Sequence, residues 1–336
     1  MEHVFYVHSP LTEKISFSIA EEVGEKRPIF ITEERYTSSL KSEIDIKKIY
    51  NFGKAKYNVF RRWREIKRGD KKITESLNSN FHIYVPQTAR KKIRLLISHG
   101  MCSGFSLMEE GLLSYATEKE IKKKVPPKKE PFARRVAYLG RLGKREFFRQ
   151  GYDKVYAVSK NAFPNFENVK VINIEFGKNK QKINITSDDC IIVLESLSYL
   201  KKGTSCAYIY SLVEVIKRAR KKYKNIFFKI HPDSYGNWQE NLFRTIIGRW
   251  ASSPREIGRS TSPEDIAIAS GADVLVTLSS TGLYCGLFSD SNVYSFYNLL
   301  ESSITPEVKE EKPEILGELD WVPEIYWEYV QPFELT

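Results

Sequence analysis

A chain of 336 residues exceeds the usual size of a single domain, so two domains are expected, each able to bury its own core. Hydrophobic residues make up 41% and charged residues 28%, and the formal net charge of +11 describes a soluble protein drawn to something anionic. No window approaches the ~18 apolar residues of a membrane span, and the first ten residues lack the positive-then-apolar pattern of an export signal. Cys102, Cys190, Cys206 and Cys285 stand far apart, without C-x-x-C spacing, in or beside apolar segments. They are expected to be buried free thiols of a cytoplasmic protein. The charge is unevenly spread: residues 118–149 hold twelve Lys or Arg against four Glu, whereas residues 307–336 hold nine acids against two lysines. The first segment should attract anions, and the acidic tail should fold back on a basic surface or repel them.

In chain order, residues 3–7 predict a strand, His8-Ser9-Pro10 a turn, and Ile15, Ile19 and Val23 the apolar side of a helix. Residues 28–32 restart the pattern, residues 57–66 with Arg61, Arg62 and Arg64 predict a helix, and residues 81–86 and 93–98 predict strands. Residues 105–108 then lead into Glu109-Glu110-Gly111, a strand end turning sharply at glycine. Adjacent carboxylates raise each other's proton affinity, which makes one of them a candidate general base; a solvated acidic turn is the rival reading. Within the basic segment, Pro126-Pro127 predicts a loop, and residues 131–150 predict a helix carrying Phe132, Tyr138, Phe147 and Phe148 among the charges. A strand over 152–158 closes the first half, and residues 161–187, with little periodicity, predict a linker.

The second half repeats the pattern, with strands expected at 190–195, 226–230, 272–278 and 293–297 and helices at 203–222, 238–249 and 262–269. The run FFKIHPD ends a strand in His231, and Pro232 holds that histidine in extended backbone at the strand mouth, where ligands bind in open α/β sheets. A histidine satisfied by a backbone carbonyl is the alternative. Ser279-Ser280-Thr281-Gly282 opens a helix after another strand, giving hydroxyls and free N–H groups at a positive helix end; an ordinary cap is again the alternative. Strands alternating with helices throughout predict an α/β fold with two Rossmann-like halves facing across a cleft.

The ordered set Glu109-Glu110-Gly111, His231-Pro232 and Ser279-Ser280-Thr281 resembles the bacterial sialyltransferases of GT-B fold, and the continuation EEGLLSY is most similar to the polysialyltransferase and lipooligosaccharide sialyltransferase group. The resemblance covers short motifs between Glu109 and Thr281 and implies an N-terminal acceptor domain (1–160), a linker (161–187), a C-terminal CMP-sugar domain (188–305) and an acidic tail (306–336) packing back on the domains. It implies inverting transfer of sialic acid, or a related nonulosonic acid, from CMP-sialic acid to a hydroxyl of a capsule or lipooligosaccharide glycan. Glu109 would be the general base, supported by Glu110, with Gly111 making the turn. His231, held by Pro232, would contact the phosphate and act as general acid. Ser279, Ser280 and Thr281 would hold the same phosphate, and Glu264 the ribose. A single phosphate can be neutralised by a histidine and a helix N-terminus, so neither a metal nor a cofactor is expected. The sequence departs from the pattern at Asp233, whose charge is expected to raise the His231 pKa.

The nearest rivals are other HP-motif GT-B transferases, such as a CDP-glycerol glycerophosphotransferase, against which the EEG motif argues, or a Kdo transferase. A rival of another class is a non-catalytic basic protein that holds an anionic polymer or membrane through residues 117–149. No nucleic-acid-binding signature accompanies that segment, so nucleic acid is not an expected partner. Lys122, Lys123, Lys124, Arg134 and Arg135 are instead expected to hold an anionic glycan acceptor or the inner face of the plasma membrane.

Overall fold

Among the described residues most strands are followed by helices, and the strands read as near-continuous apolar runs, as expected of a parallel sheet covered on both faces. The structure, a computed structural model, describes residues 1–32, 43–45, 49–52, 58–174, 176, 184–197, 204–251, 253–259, 261–302 and 322–333. The chain divides into two units, Met1–Ile174 and Glu175–Thr336.

The first unit contains β1 (Glu2–Val7), α1 (Pro10–Glu22), β2 (Ile29–Thr32), β3 (Glu43–Asp45), α2 (Val59–Ser76), β4 (Phe81–Val85), α3 (Lys91–Ile97), β5 (Cys102–Met108), α4 (Glu118–Lys124), α5 (Phe132–Ala137), β6 (Val155–Ala157) and β7 (Val169–Val171). Among the described residues its sheet has the order β3-β2-β1-β4-β5-β6-β7 with every pair parallel. The second unit contains β8 (Cys190–Val193), α6 (Thr204–Lys222), β9 (Ile226–Lys229), α7 (Trp238–Trp250), β10 (Arg255–Glu256), α8 (Pro263–Ser270), β11 (Asp273–Val276), α9 (Ser280–Phe288), β12 (Val293–Ser295), α10 (Tyr297–Ser302), α11 (Glu324–Tyr329) and β13 (Gln331–Pro332). Its sheet has the order β10-β9-β8-β11-β12-β13, again all parallel. Counted from its own first strand, each unit is therefore doubly wound in the Rossmann sense. The winding reverses between β1 and β4 and between β8 and β11, and ligands of such sheets bind beyond the strand carboxyl ends at those reversals.

Four expectations are corrected. Residues 93–98 form helix α3 rather than a strand, because a short apolar run does not distinguish the two. The deciding residue is Arg94, buried among Ile93, Leu95 and Leu96 and paired with Glu130 at 2.7 Å. The helix expected over 131–150 stops at Ala137, where Leu139 (φ 55°) and Gly140 (φ 75°) turn the backbone left-handed. Arg141 then ties the following loop to Asp70 of α2 at 2.6 Å. Residues 161–187 are not all linker, since β7 pairs with β6 as part of the first sheet. Cys206 is exposed on α6, unlike the buried Cys190 and Cys285.

Of the acidic tail, residues 306–321 and 334–336 lie outside the described residues. Residues 322–333 supply α11 and β13, and β13 extends the second sheet beside β12. Close approach of α11 to α9 depends on glycine: a Cβ on Gly286 would stand 2.7 Å from the Tyr329 carbonyl oxygen, and one on Gly282 would stand 2.9 Å from Val276 Cγ2 and 3.3 Å from the Tyr326 hydroxyl. The core of the second unit joins Tyr208, Phe243 and Phe296, all fully buried, each such side chain contributing about 1.5–3 kcal/mol.

Candidate active site

In the first unit, β1 delivers His8 to its carboxyl end, and α1 starts at once because Ser9 and Thr12 form a capping box with Pro10 in the first turn. Strand β5 delivers Glu109 and Glu110, followed by Gly111 at φ 137° and ψ −151°, a conformation that L side chains rarely adopt. The two carboxylates have opposite settings. Glu109 is fully buried; Oε1 accepts from the Tyr115 hydroxyl and Oε2 from the Val158 N–H, both at 2.7 Å. It thereby clasps the 3-10 turn Leu112–Tyr115 to the end of β6. Glu110 keeps a solvent-reachable edge, and its Oε2 stands 3.6 Å from His8 Nε2. Burial and saturation suit Glu109 to holding the loop, and Glu110 beside His8 to exchanging a proton. His8 was legible by the logic that found His231, a strand ending in histidine before a helix-starting proline, but its neighbourhood reads from sequence as a turn alone.

In the second unit, His231 has φ −60° and ψ 137°, the extended backbone that Pro232 demands. Its Nδ1 accepts from the Asp233 N–H at 3.1 Å, so the neutral ring carries its proton on Nε2. Burial holds the imidazole below its ordinary pKa; Asp233 pulls upward, as its charge predicts, but burial outweighs it. The next strand along, β8, ends beside Glu195, whose backbone N–H donates to Tyr208 Oη at 2.9 Å.

Strand β11 leads to Ser279, the N-cap of α9, whose Oγ accepts from the Gly282 N–H at 3.3 Å and whose N–H donates to Tyr326 Oη at 3.4 Å. The first-turn amides of α9, among them those of Ser280 and Thr281, have no partner within the helix and form a positive end for an anion. Thr281 differs from the expected phosphate ligand because its hydroxyl donates to Glu264 Oε1 at 2.6 Å. Ser262 Oγ donates to Glu264 Oε2, also at 2.6 Å, so Glu264 links the starts of α8 and α9 with both oxygens engaged. Lys229, two residues before His231, is buried with Nζ donating to the carbonyls of Gly258 and Arg259 at 2.6 and 2.9 Å, and burial pushes its pKa down to about 8. His231, Glu195 and the Ser279 cap thus follow β9, β8 and β11, three adjacent strands around the reversal of the second sheet.

The basic residues are spread over two short helices. Lys122, Lys123 and Lys124 are exposed on α4, with Lys122 paired to Glu118 at 2.6 Å, and Arg134 and Arg135 are exposed on α5. Next to α4 a cavity of about 210 Å³ has Ile121, Val125, Phe147, Phe148 and Phe166 in its lining; His8, Glu109 and Glu110 are not part of it. Among the described residues no helix is long and apolar enough to cross a membrane.

No protein-family model and no curated protein matches the chain. Among solved structures, UDP-GlcNAc 2-epimerase of Methanocaldococcus jannaschii, in complex with UDP-GlcNAc and UDP, is 13% identical, with 88% of this chain and 83% of that one covered at a TM-score of 0.52. UDP-GlcNAc 2-epimerase of Neisseria meningitidis bound to UDP-GlcNAc (12% identity, 97% and 96% covered) and an E. coli trehalose-6-phosphate structure bound with UDP-2-fluoro glucose (11% identity, 98% and 94% covered) both align with a TM-score of 0.43. Two doubly wound Rossmann-like units in one chain, with the first of these likenesses, define an α/β fold of GT-B type.

Proposed function

We propose that the protein is a nucleotide-sugar glycosyltransferase and, within that class, an inverting sialyltransferase that uses CMP-sialic acid and a surface-glycan hydroxyl as acceptor. The observation that carries this reading is that the HP histidine and the Ser279–Ser280 helix start follow β9 and β11, the strands on either side of β8 around the reversal of one sheet. That is a place for one phosphate next to a proton donor. A nucleotide-sugar ligand is also what the M. jannaschii structure holds, as UDP-GlcNAc and UDP. The preference for a CMP donor rests on the EEG, HP and Ser-Ser motif set and on cation supply. Lys229, the lysine nearest His231 in sequence, is turned onto two backbone carbonyls, which suits the site to a monophosphate better than to a diphosphate.

In the reaction, the bond from the anomeric carbon to the phosphate oxygen breaks, and the acceptor oxygen forms its bond on the opposite side, inverting the centre. The acceptor proton passes to Glu110, with His8 positioned to share it, while Glu109 holds the loop through Tyr115 and Val158. This reassigns the base role that the sequence motif gave to Glu109. His231 donates a hydrogen bond from Nε2–H to the departing phosphate and stabilises its charge; the phosphate leaves as the CMP anion, and the neutral imidazole keeps its proton. Transfer from CMP-sialic acid by wild type, Glu109→Gln, Glu110→Gln and His231→Ala tests this. Losses of roughly 100-fold or more are expected for Glu110→Gln and His231→Ala. Near wild-type rates in both would remove the mechanism. Unchanged activity in excess EDTA is expected if His231 and the α9 N-terminus suffice for the phosphate.

A further inference from the structure

Glu195 is a carboxylic acid where an anionic ligand is to be bound, and none of the motifs includes it. It follows β8, the strand at the reversal of the second sheet, between the strand ends that carry His231 and Ser279. It is half-buried, with its carboxyl group deep among protein atoms. Beside it lies Thr277, 5% exposed, whose Oγ1 makes no hydrogen bond of full geometry. The Thr277 carbonyl accepts from the Ser295 hydroxyl at 2.5 Å and from the Tyr326 hydroxyl at 3.4 Å, and Tyr326 also receives the Ser279 N–H. Glu195, Thr277, Tyr326 and the cap of α9 therefore form one connected cluster at the anion-binding end of that helix.

An ionised carboxylate there would repel a phosphate, whereas a neutral carboxylic acid would donate to it. Thr277 after β11 faces this carboxyl, and Tyr208 of α6 and Tyr326 of α11 lie within electrostatic reach of it. None of them is charged at neutral pH, and among the described residues no cation contributes to its proton affinity. Burial alone pushes the group up to about 7, with Thr277 pulling slightly back. We propose that Glu195 is a further donor-site residue, meeting the donor phosphate as a neutral acid and donating a hydrogen bond to it together with the Thr277 hydroxyl. Donor binding then takes up a proton wherever the free protein has lost it. The inference rests on the donor-site reading of the second unit given above.

The test is calorimetric titration of wild type and Glu195→Gln with CMP, UDP and cytidine between pH 7 and 9. This window lies above the titration of His231, which burial lowers, and above the second ionisation of a phosphate monoester near 6; Lys229, pushed down to about 8, titrates within it in both proteins, so the difference between wild type and Glu195→Gln isolates Glu195. For wild type, CMP affinity is expected to fall about tenfold per pH unit once Glu195 ionises, with proton uptake approaching one per site. Glu195→Gln, which keeps the shape and a donor, is expected to bind CMP with little pH dependence and little uptake. Cytidine, lacking the phosphate, is expected to show neither effect in either protein. The proposal is overturned if Glu195→Gln keeps the wild-type pH dependence, if cytidine shows it, or if wild-type binding of CMP is flat across the window. If neither CMP nor UDP binds at any pH, the donor-site reading itself fails and Glu195 loses its role with it.

Discussion

Two glutamates that stand side by side in sequence have opposite settings where the chain leaves β5 at Met108. Glu109 points into the unit and has both oxygens occupied, so its removal strikes at stability: Glu109→Gln leaves the Val158 N–H or the Tyr115 hydroxyl poorly matched and is expected to cost about 1–3 kcal/mol. Glu110→Gln is expected to lower kcat with the urea midpoint nearly unchanged. The opposite pairing of effects would return the base role to Glu109. At Glu195 the raised folded-state value gives a further prediction with a defined sign. A carboxyl of this kind contributes stability that is present below its unfolded value and lost as pH rises through about 7. Glu195→Gln should therefore stabilise the protein at pH 8, by at most roughly 3 kcal/mol, and change little near pH 4.5. Urea unfolding at the two pH values checks this, and equal effects at both would contradict the burial of a titrating carboxyl.

At the level of elements, α11 packs against the candidate site of the second unit, because Tyr326 reaches both Thr277 and Ser279 across the glycine face of α9. Gly286→Ala puts a methyl against the Tyr329 backbone and is expected to cost about 1–3 kcal/mol. CMP binding should weaken in parallel, as the cap of α9 loses its tyrosine. Binding untouched by a clear loss of stability would separate α11 from the site. Strand ends were the legible elements: FFKIHPD and DVLVTLSST announce their ends through a proline and a serine cap, which are local chemistry. Helix α3 was not legible, since the pairing of Arg94 with Glu130 is a tertiary contact that overrides an apolar run. The 3-residue strand β7 and the 2-residue strands β10 and β13 are too short to show a period, and only their neighbours define them. The candidate residues Glu195 and Thr277 share that limitation, because a strand order brings them into place and no motif marks them; His8 had a local signal, a strand end before a helix-starting proline, and only its pairing with Glu110 is tertiary.

Over the whole molecule, two Rossmann-like units each end their central strands in titratable side chains, and the chain carries a net +11 concentrated in residues 118–149. We propose that this basic stretch meets an anionic acceptor or lipid surface. Triple charge reversal at Lys122, Lys123 and Lys124, all exposed, should weaken binding to phosphatidylserine vesicles by roughly 1 kcal/mol per lysine, and salt should do the same. Wild-type binding insensitive to both would remove the idea. A fold does not fix a substrate, so on the proposed reading donor identity has to come from chemistry at the second unit's strand ends. The decisive measurement is a transfer assay offering CMP-, CDP- and UDP-sugars in turn to a glycan acceptor, with the anomeric configuration of any product read by NMR. Turnover of CMP-sialic acid alone, with inversion, is the expected result; preferred turnover of a UDP- or CDP-donor, or retention of configuration, would contradict it.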